Sequence, residues 1–256
     1  MPVLGLGTGR ITDPDAIARA LEVGYRHLDT AQMYENEAVV GDGLAAADVP
    51  AEEAFVATKL QGEDCGREAA VEAARVSRER LGVDTIDLLY VHWPRGDYDP
   101  VETMAAFDEL VDDGVVERVG VSNFTPDLLE AAVAASDAGV FANQVECHPL
   151  CPQPELRAAC DAAGVEVVAH APLARGAVFD VPAIEAVADA HDATAAQVSL
   201  AWLRAQGVTA IPKGSGDHVT ENWASLDLEL TDEEVARIDA VEERHRCVDF
   251  AEAPWN

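Results

Sequence analysis

The chain of 256 residues holds two lysines, Lys59 and Lys213, beside fifteen arginines. Both stand where an apolar run ends, Lys59 after Phe55-Val56-Ala57-Thr58 and Lys213 after Val208-Thr209-Ala210-Ile211-Pro212. A chain that uses arginine nearly everywhere and keeps lysine here needs what a guanidinium cannot supply, a compact point charge able to sit against a phenol. Other apolar runs also end in polar groups: Asp29 with Tyr34 in the following loop, His92, Ser122 with Asn123, Gln144 and His170. Tyr34, Lys59, Asp29 and His92 form a sensible acid–base set. A free phenol ionises near about pH 10, too high for efficient proton exchange near neutrality, and a cation held close lowers that value. Lys59 is therefore expected to tune Tyr34 downward, with Asp29 holding the ammonium and His92 orienting a carbonyl oxygen. Each residue alone also has an ordinary structural account: Asp29 as a helix cap, His92 as a satisfied core histidine, Gln144 as a loop tie. This chemistry needs no metal, and His27, His92, His148, Cys147 and Cys151 fall into no tetrahedral-zinc spacing.

The elements that must position these groups are short apolar or β-branched runs alternating with longer segments of helical period, the signature of repeated βα units over a parallel sheet. Eight runs qualify: 3–7, 25–29, 54–59, 86–92, 118–122, 142–147, 165–171 and 208–212. Helical candidates between them include 15–22, 67–81, 101–111, 126–135, 154–163, 182–191 and 195–206. Start signals agree with this phase: Thr12 and Asp13 precede Pro14, Thr125 precedes Pro126, and Thr231 precedes Asp232, Glu233 and Glu234. The pattern predicts a single (β/α)8 barrel domain over 1–256, with its chemistry at the carboxyl ends of the strands.

Lys and Arg number 17 and Asp and Glu 48, for a net charge of −31. That excludes a nucleic-acid backbone binder and a surface docked on anionic lipid, and no uninterrupted apolar stretch is long enough to span a membrane. Diffuse carboxylates with few ammonium groups fit a protein kept soluble in molar salt, where a screening length of about 3 Å suppresses self-repulsion. A salt-accumulating cytoplasm is the expected setting. Five scattered cysteines, Cys65, Cys147, Cys151, Cys160 and Cys247, agree with a reducing compartment.

The opening Gly5-Leu6-Gly7-Thr8-Gly9-Arg10 begins like a dinucleotide-binding fingerprint, but Arg10 fills the third glycine position and no adequate strand precedes it. The segments LGLGTG at 4–9, GYRHLDTAQMYENE at 24–37, FVATKL at 55–60, IDLLYVHWP at 86–94, VGVSNF at 119–124, NQVECHP at 143–149, PLARG at 172–176 and IPK at 211–213 point elsewhere. In this order and spacing the chain resembles the aldo-keto reductases over nearly its whole length, and most closely the prokaryotic members acting on small aldehydes, ketones or keto sugars. The resemblance implies Tyr34 as general acid in carbonyl reduction, Lys59 and Asp29 as its tuning pair, and His92 as the carbonyl-orienting group. It implies that Ser122, Asn123 and Gln144 hold a nicotinamide carboxamide. Leu173 would lie along the pyrophosphate, Lys213 would meet the adenosine-side phosphate, and Glu221 with Asn222 would contact adenine. A monomer is the commonest state of such proteins.

Departures from that pattern carry information. His170 stands where the family usually stacks a tyrosine under the nicotinamide. Gly9 replaces an aromatic, which predicts a wider substrate mouth, while Trp93 remains as a wall. Gly214 and His218 replace the usual serine and arginine of the 2′-phosphate site, leaving Lys213 and Ser215 as donors. NADPH is therefore the expected cofactor, with NADH or dual use left open. The usual amino-terminal hairpin is missing, so other side chains are expected to close the barrel floor. A nucleotide-sensing or partner-binding subunit on the same fold is the competing functional class.

Overall fold

The computed structural model describes all 256 residues. Eight parallel strands follow in chain order around one sheet: β1 (Leu6–Gly7), β2 (His27–Asp29), β3 (Phe55–Leu60), β4 (Leu88–Val91), β5 (Val119–Ser122), β6 (Ala142–Glu146), β7 (Glu166–His170) and β8 (Thr209–Ala210). Bridges from Leu4 to Ala210 and from Gly7 to Lys213 join the last strand to the first, with the Gly5 N–H donating to the Ala210 carbonyl at 2.8 Å, so the sheet closes into the expected (β/α)8 barrel. Around it lie α1 (Pro14–Val23), α2 (Glu37–Ala46), α3 (Arg67–Leu81), α4 (Pro100–Asp112), α5 (Pro126–Ala135), α6 (Pro154–Ala163), α7 (Pro182–His191), α8 (Ala195–Ala205), α9 (Asp217–Trp223) and α10 (Asp232–Asp239).

Each of the eight apolar runs carries one strand, β3 extending one residue past its run to Leu60. The first and last are trimmed to two residues apiece, because Pro212 has no N–H to continue a ladder and the chain there pairs only through bridges. The helix starts have local causes. Asp13 accepts the Asp15 N–H, Asp99 accepts those of Val101 and Glu102, and Thr231 forms a capping box with Glu234. Thr125 precedes α5 as expected but makes no side-chain cap, so Pro126, preorganised for the first helical position, marks that start.

Strand alternation sorts the core into two bodies. A cluster of 54 buried residues fills the layer between sheet and helices, while Ala57, Leu88, Tyr90, Ala142, Val168 and Ile211 pack inside the barrel. Tyr90 fits there because its neighbour is Gly120: a Cβ at that position would stand 2.5 Å from Tyr90 Cδ1. Met1, Phe55 and Phe141 pack against the inner cluster from below, and the Arg118 guanidinium covers both phenyl rings at 5.8 and 5.2 Å. These side chains close the amino end of the barrel. The carboxyl end stays polar, because parallel register sets Gly7 against Asp29, Lys59 against Tyr90, Ser122 against Gln144 and Glu146 against His170.

Candidate active site

At the carboxyl rim the Lys59 side chain is wholly buried. Its ammonium donates to Asp29 Oδ1 and to the Thr30 carbonyl at 2.7 Å. Gln144 Nε2 donates to the other Asp29 oxygen at 2.7 Å, so this buried carboxylate is satisfied on both oxygens and paired with a cation. Tyr34 ends a single helical turn, Gln32–Tyr34, that carries it back over the ammonium, with Lys59 Nζ 5.4 Å from the ring centroid. His92 meets the Tyr34 ring edge-on at 6.0 Å. The four residues of the acid–base set, drawn from three strand ends and one loop, therefore share one place.

Asn36, which the sequence reading did not single out, fixes that loop. Its amide donates to the carbonyls of Thr8 and Ile11 at 2.9 Å each, and its oxygen accepts the Thr30 hydroxyl at 2.9 Å. One buried side chain thus ties the segment after β1, the end of β2 and the Tyr34 turn. A buried asparagine satisfying backbone carbonyls leaves no mark in the sequence beyond its place in Tyr34-Glu35-Asn36-Glu37.

The electrostatics correct one expectation. Lys59 is the largest influence on Tyr34 and lowers its pKa, but burial and the Asp29 carboxylate together outweigh it, so the phenol sits above its ordinary value. Tyr34 is held protonated at neutral pH. Burial, then the charges of Lys59, His170 and Arg95, keep His92 well below the usual histidine value, and burial lowers His170 to about 4. Both imidazoles are neutral. His92 Nδ1 is buried without a partner, which leaves Nε2 to face the cleft.

The cleft above these groups has a volume of about 610 Å³. Of the sequence-derived residues, Asp29, Tyr34, His92, Trp93, Asn123, Gln144, His170 and Lys213 line it. Gly9 also lines it, with the Tyr34 ring 3.6 Å from where a Cβ would stand, in keeping with a widened mouth. Ser122 is buried behind the wall and donates to the Gln144 carbonyl at 2.8 Å. Asn123 spans the rim, donating to the His92 carbonyl at 3.0 Å while its oxygen meets His170 Nε2 at 2.9 Å. Leu173, Ser215, His218, Glu221 and Asn222 lie outside the lining, on the segment after β7 and on the β8–α9 connection and α9. There His218 Nδ1 meets Glu221 Oε2 at 3.1 Å, and Asn222 is buried. An outer groove of about 800 Å³ between α6 and α8 is larger, but its Arg157 and Gln206 bond each other and it gathers no acid–base set.

Met33 and Arg10, which the sequence reading did not single out, line the cleft, as do Arg175 beside Leu173, Arg95 of the 95–100 loop and Val248 of the carboxyl-terminal segment. Arg10 and Arg95 directly follow the motifs at 4–9 and 86–94, and Arg175 lies within that at 172–176, which was the available signal. Glu146 explains how the carboxyl-terminal segment joins the site. Its carboxylate accepts the N–H of Val248 at 2.8 Å and that of Cys247, and meets His148 Nε2 at 2.9 Å. Burial alone would raise its pKa, yet these hydrogen bonds bring it down to about 2. Glu146, His148 and Cys247 bring ligand atoms within 4.8 Å of one another, a grouping the linear spacing does not reveal, and the carboxylate is already filled by donors. Beyond this clasp Phe250 and Trp255 pack on Trp93 at 5.0 and 5.9 Å, whereas Tyr98 packs away on Phe124. All five cysteines are free, and no helix is long and apolar enough to cross a membrane.

Comparison with known proteins agrees with this geometry. The model of the Aldo/keto reductase family matches residues 4–243. An aldo-keto reductase of Mycobacterium sp. (strain MCS) is 40% identical over 251 residues, covering 96% of this chain and 89% of the relative. The crystal structure of MGS-M4, an aldo-keto reductase from a Medee basin deep-sea metagenome library, superposes with a TM-score of 0.94 at 34% identity, covering 99% of this chain and 95% of the other. That of a Bombyx mori aldo-keto reductase in complex with NADP gives 0.90 at 33% identity, covering 97% and 92%. The chain belongs to the aldo/keto reductase family and is an NAD(P)H-dependent oxidoreductase.

Proposed function

We propose that this chain reduces a small aldehyde, ketone or keto sugar to the alcohol, with Tyr34 as the general acid. The observation that carries the reading is the buried Asp29–Lys59 pair set beneath a protonated Tyr34 at the floor of an open cleft. When bound, a reduced nicotinamide supplies the hydride. Tyr34 Oη holds the proton that the nascent alkoxide requires, and Lys59, the strongest influence on that phenol, stabilises the phenolate left behind. Asp29 fixes the ammonium and Gln144 fixes Asp29. Neutral His92, with Nε2 toward the cleft, orients the carbonyl oxygen, and Trp93 with Phe250 walls off the substrate side.

The residues fit a nicotinamide cofactor. Arg175 and Lys213 form no ion pair and are free to meet phosphates, Gln144 and Asn123 present amide groups at the rim, and His170 offers a neutral ring for stacking. NADPH is proposed as the preferred form, supported by exposed Lys213 with Ser215 nearby, and NADH or dual use stays open because His218 is engaged by Glu221. The protein is read as a single-domain monomer of a reducing, salt-rich cytoplasm, taking a small carbonyl compound and no nucleic acid. A pure nucleotide sensor could dispense with the four side chains gathered here, so their assembly weighs toward catalysis. Oxidation of NADPH with a small aldehyde in concentrated KCl tests the reading. Tyr34→Phe is expected to lower kcat about 10²–10⁴-fold with cofactor affinity kept, and unchanged turnover overturns the assignment.

A further inference from the structure

The cleft is cationic in a protein whose net charge is −31. Arg10, Arg95, Arg175 and Lys213 line it, and none of the four side chains makes an ion pair, whereas seven of the twelve arginines elsewhere find carboxylates. The one carboxylate of the lining, Asp29, is already neutralised by Lys59. These charges divide by position. Arg175 and Lys213 follow β7 and β8, where the cofactor's phosphates are proposed to lie. Arg10 follows β1, beside β8 in the ring, whereas Arg95 follows β4, four strands from β8 and three from β7, and so on the opposite wall. Its charge is surplus to the cofactor.

Arg95 is also placed with care. Its guanidinium carbon lies 5.9 Å from the Trp93 ring, and its charge is among those felt by His92. The loop that presents it is fixed from both sides, the Arg95 N–H donating to the Trp93 carbonyl at 2.8 Å and the Asp97 N–H to the Gly62 carbonyl at 2.9 Å. A forked donor on a fixed loop, beside an aromatic wall and near the imidazole read as orienting the carbonyl, is built to receive a planar or multi-oxygen anion. The surrounding carboxylates repel such anions elsewhere, so the positive cleft concentrates them at the site.

We propose that the substrate carries an anionic group, a carboxylate or a phosphate, on the same short skeleton as its carbonyl, and that Arg95 receives that group. This rests on the reductase reading above and adds the substrate class to it. Arg95 anchors the far end of the molecule so that the carbonyl falls between Tyr34 and His92.

The test compares two matched pairs, butanal with 4-oxobutanoate and glyceraldehyde with glyceraldehyde 3-phosphate, at saturating NADPH and one KCl concentration. A charge-assisted contact predicts kcat/KM about tenfold or more higher for the anionic member of at least one pair, expressed in KM, and the pair that shows it names the anion. Arg95→Gln is expected to bring that ratio to about one and Arg95→Lys to retain part of it, each variant checked for fold by circular dichroism. Neutral members that perform as well in both pairs overturn the substrate class and leave the reductase reading standing. A preference that survives Arg95→Gln overturns the role of Arg95. A folded wild-type protein that oxidises NADPH with none of the four compounds brings down the reductase reading, and this proposal with it.

Discussion

At the scale of single residues, the site is a contest between burial and charge. Lys59 is buried with Asp29 and the Thr30 carbonyl as partners, whereas Tyr34 meets opposing influences and ends above its ordinary pKa. His27, at the start of β2, shows burial prevailing: desolvation lowers its pKa to about 4, although the Asp29 carboxylate and the Pro2 backbone pull the other way. The unfolded chain, with a histidine value of about 6.5, takes up the proton first as pH falls, so stability is full above about 6.5 and drains away toward 4. The full loss, on the order of 3 kcal/mol, is reached only near pH 4 and below; denaturant unfolding at pH 7 and pH 5 should show about 2 kcal/mol of it, with His27→Leu flattening the slope. Lys213 poses a separate question of cofactor choice. Quenching of tryptophan emission should show NADPH binding about tenfold tighter than NADH, with Lys213→Met closing the gap. Equal affinities in the unaltered protein would remove the 2′-phosphate assignment.

At the scale of elements, close approach decides where side chains can stand. α2 carries Gly41 and Gly43 in a weakly amphipathic stretch, which is why periodicity did not mark it as a helix. Packing supplies the reason: a Cβ at Gly43 would come within 2.5 Å of Ile17 Cβ, so the glycine lets α1 and α2 touch. Gly120 does the same inside the barrel for Tyr90, whose ring centroid lies 5.8 Å from Lys59 Nζ. Gly120→Ala should therefore cost about 1–3 kcal/mol by thermal unfolding, and should lower turnover by pressing Tyr90 toward the ammonium. A variant of unaltered stability would show that the strand gives way more easily than the interior packing implies.

At the scale of the whole molecule, the excess of 31 negative charges makes stability depend on salt. Repulsion among these carboxylates opposes the compact state in dilute buffer and is screened in molar salt, where the Debye length is about 3 Å. The melting temperature is accordingly expected to climb between 0.1 M and molar KCl, and equal melting at both would remove the halophilic setting. Against that charge the cleft stands apart by gathering three arginines and Lys213, none in an ion pair, around a single carboxylate already neutralised by Lys59.

The strands, their order and most of the residues gathered at the candidate rim are legible in the linear chain, because each βα unit repeats one local pattern and parallel register places every strand end at the same level. Retained lysines, motif spacing and helix-start chemistry are local signals, and they point to Asp29, Tyr34, Lys59 and His92. Folding alone settled what depends on atoms far apart in the chain. Asn36 reaches the carbonyls of Thr8 and Ile11, and Glu146 clasps the backbone of Cys247 and Val248 across about a hundred residues. The sign of the Tyr34 shift belongs to this second group as well, since desolvation is set by everything packed around a phenol and no neighbour in sequence records it.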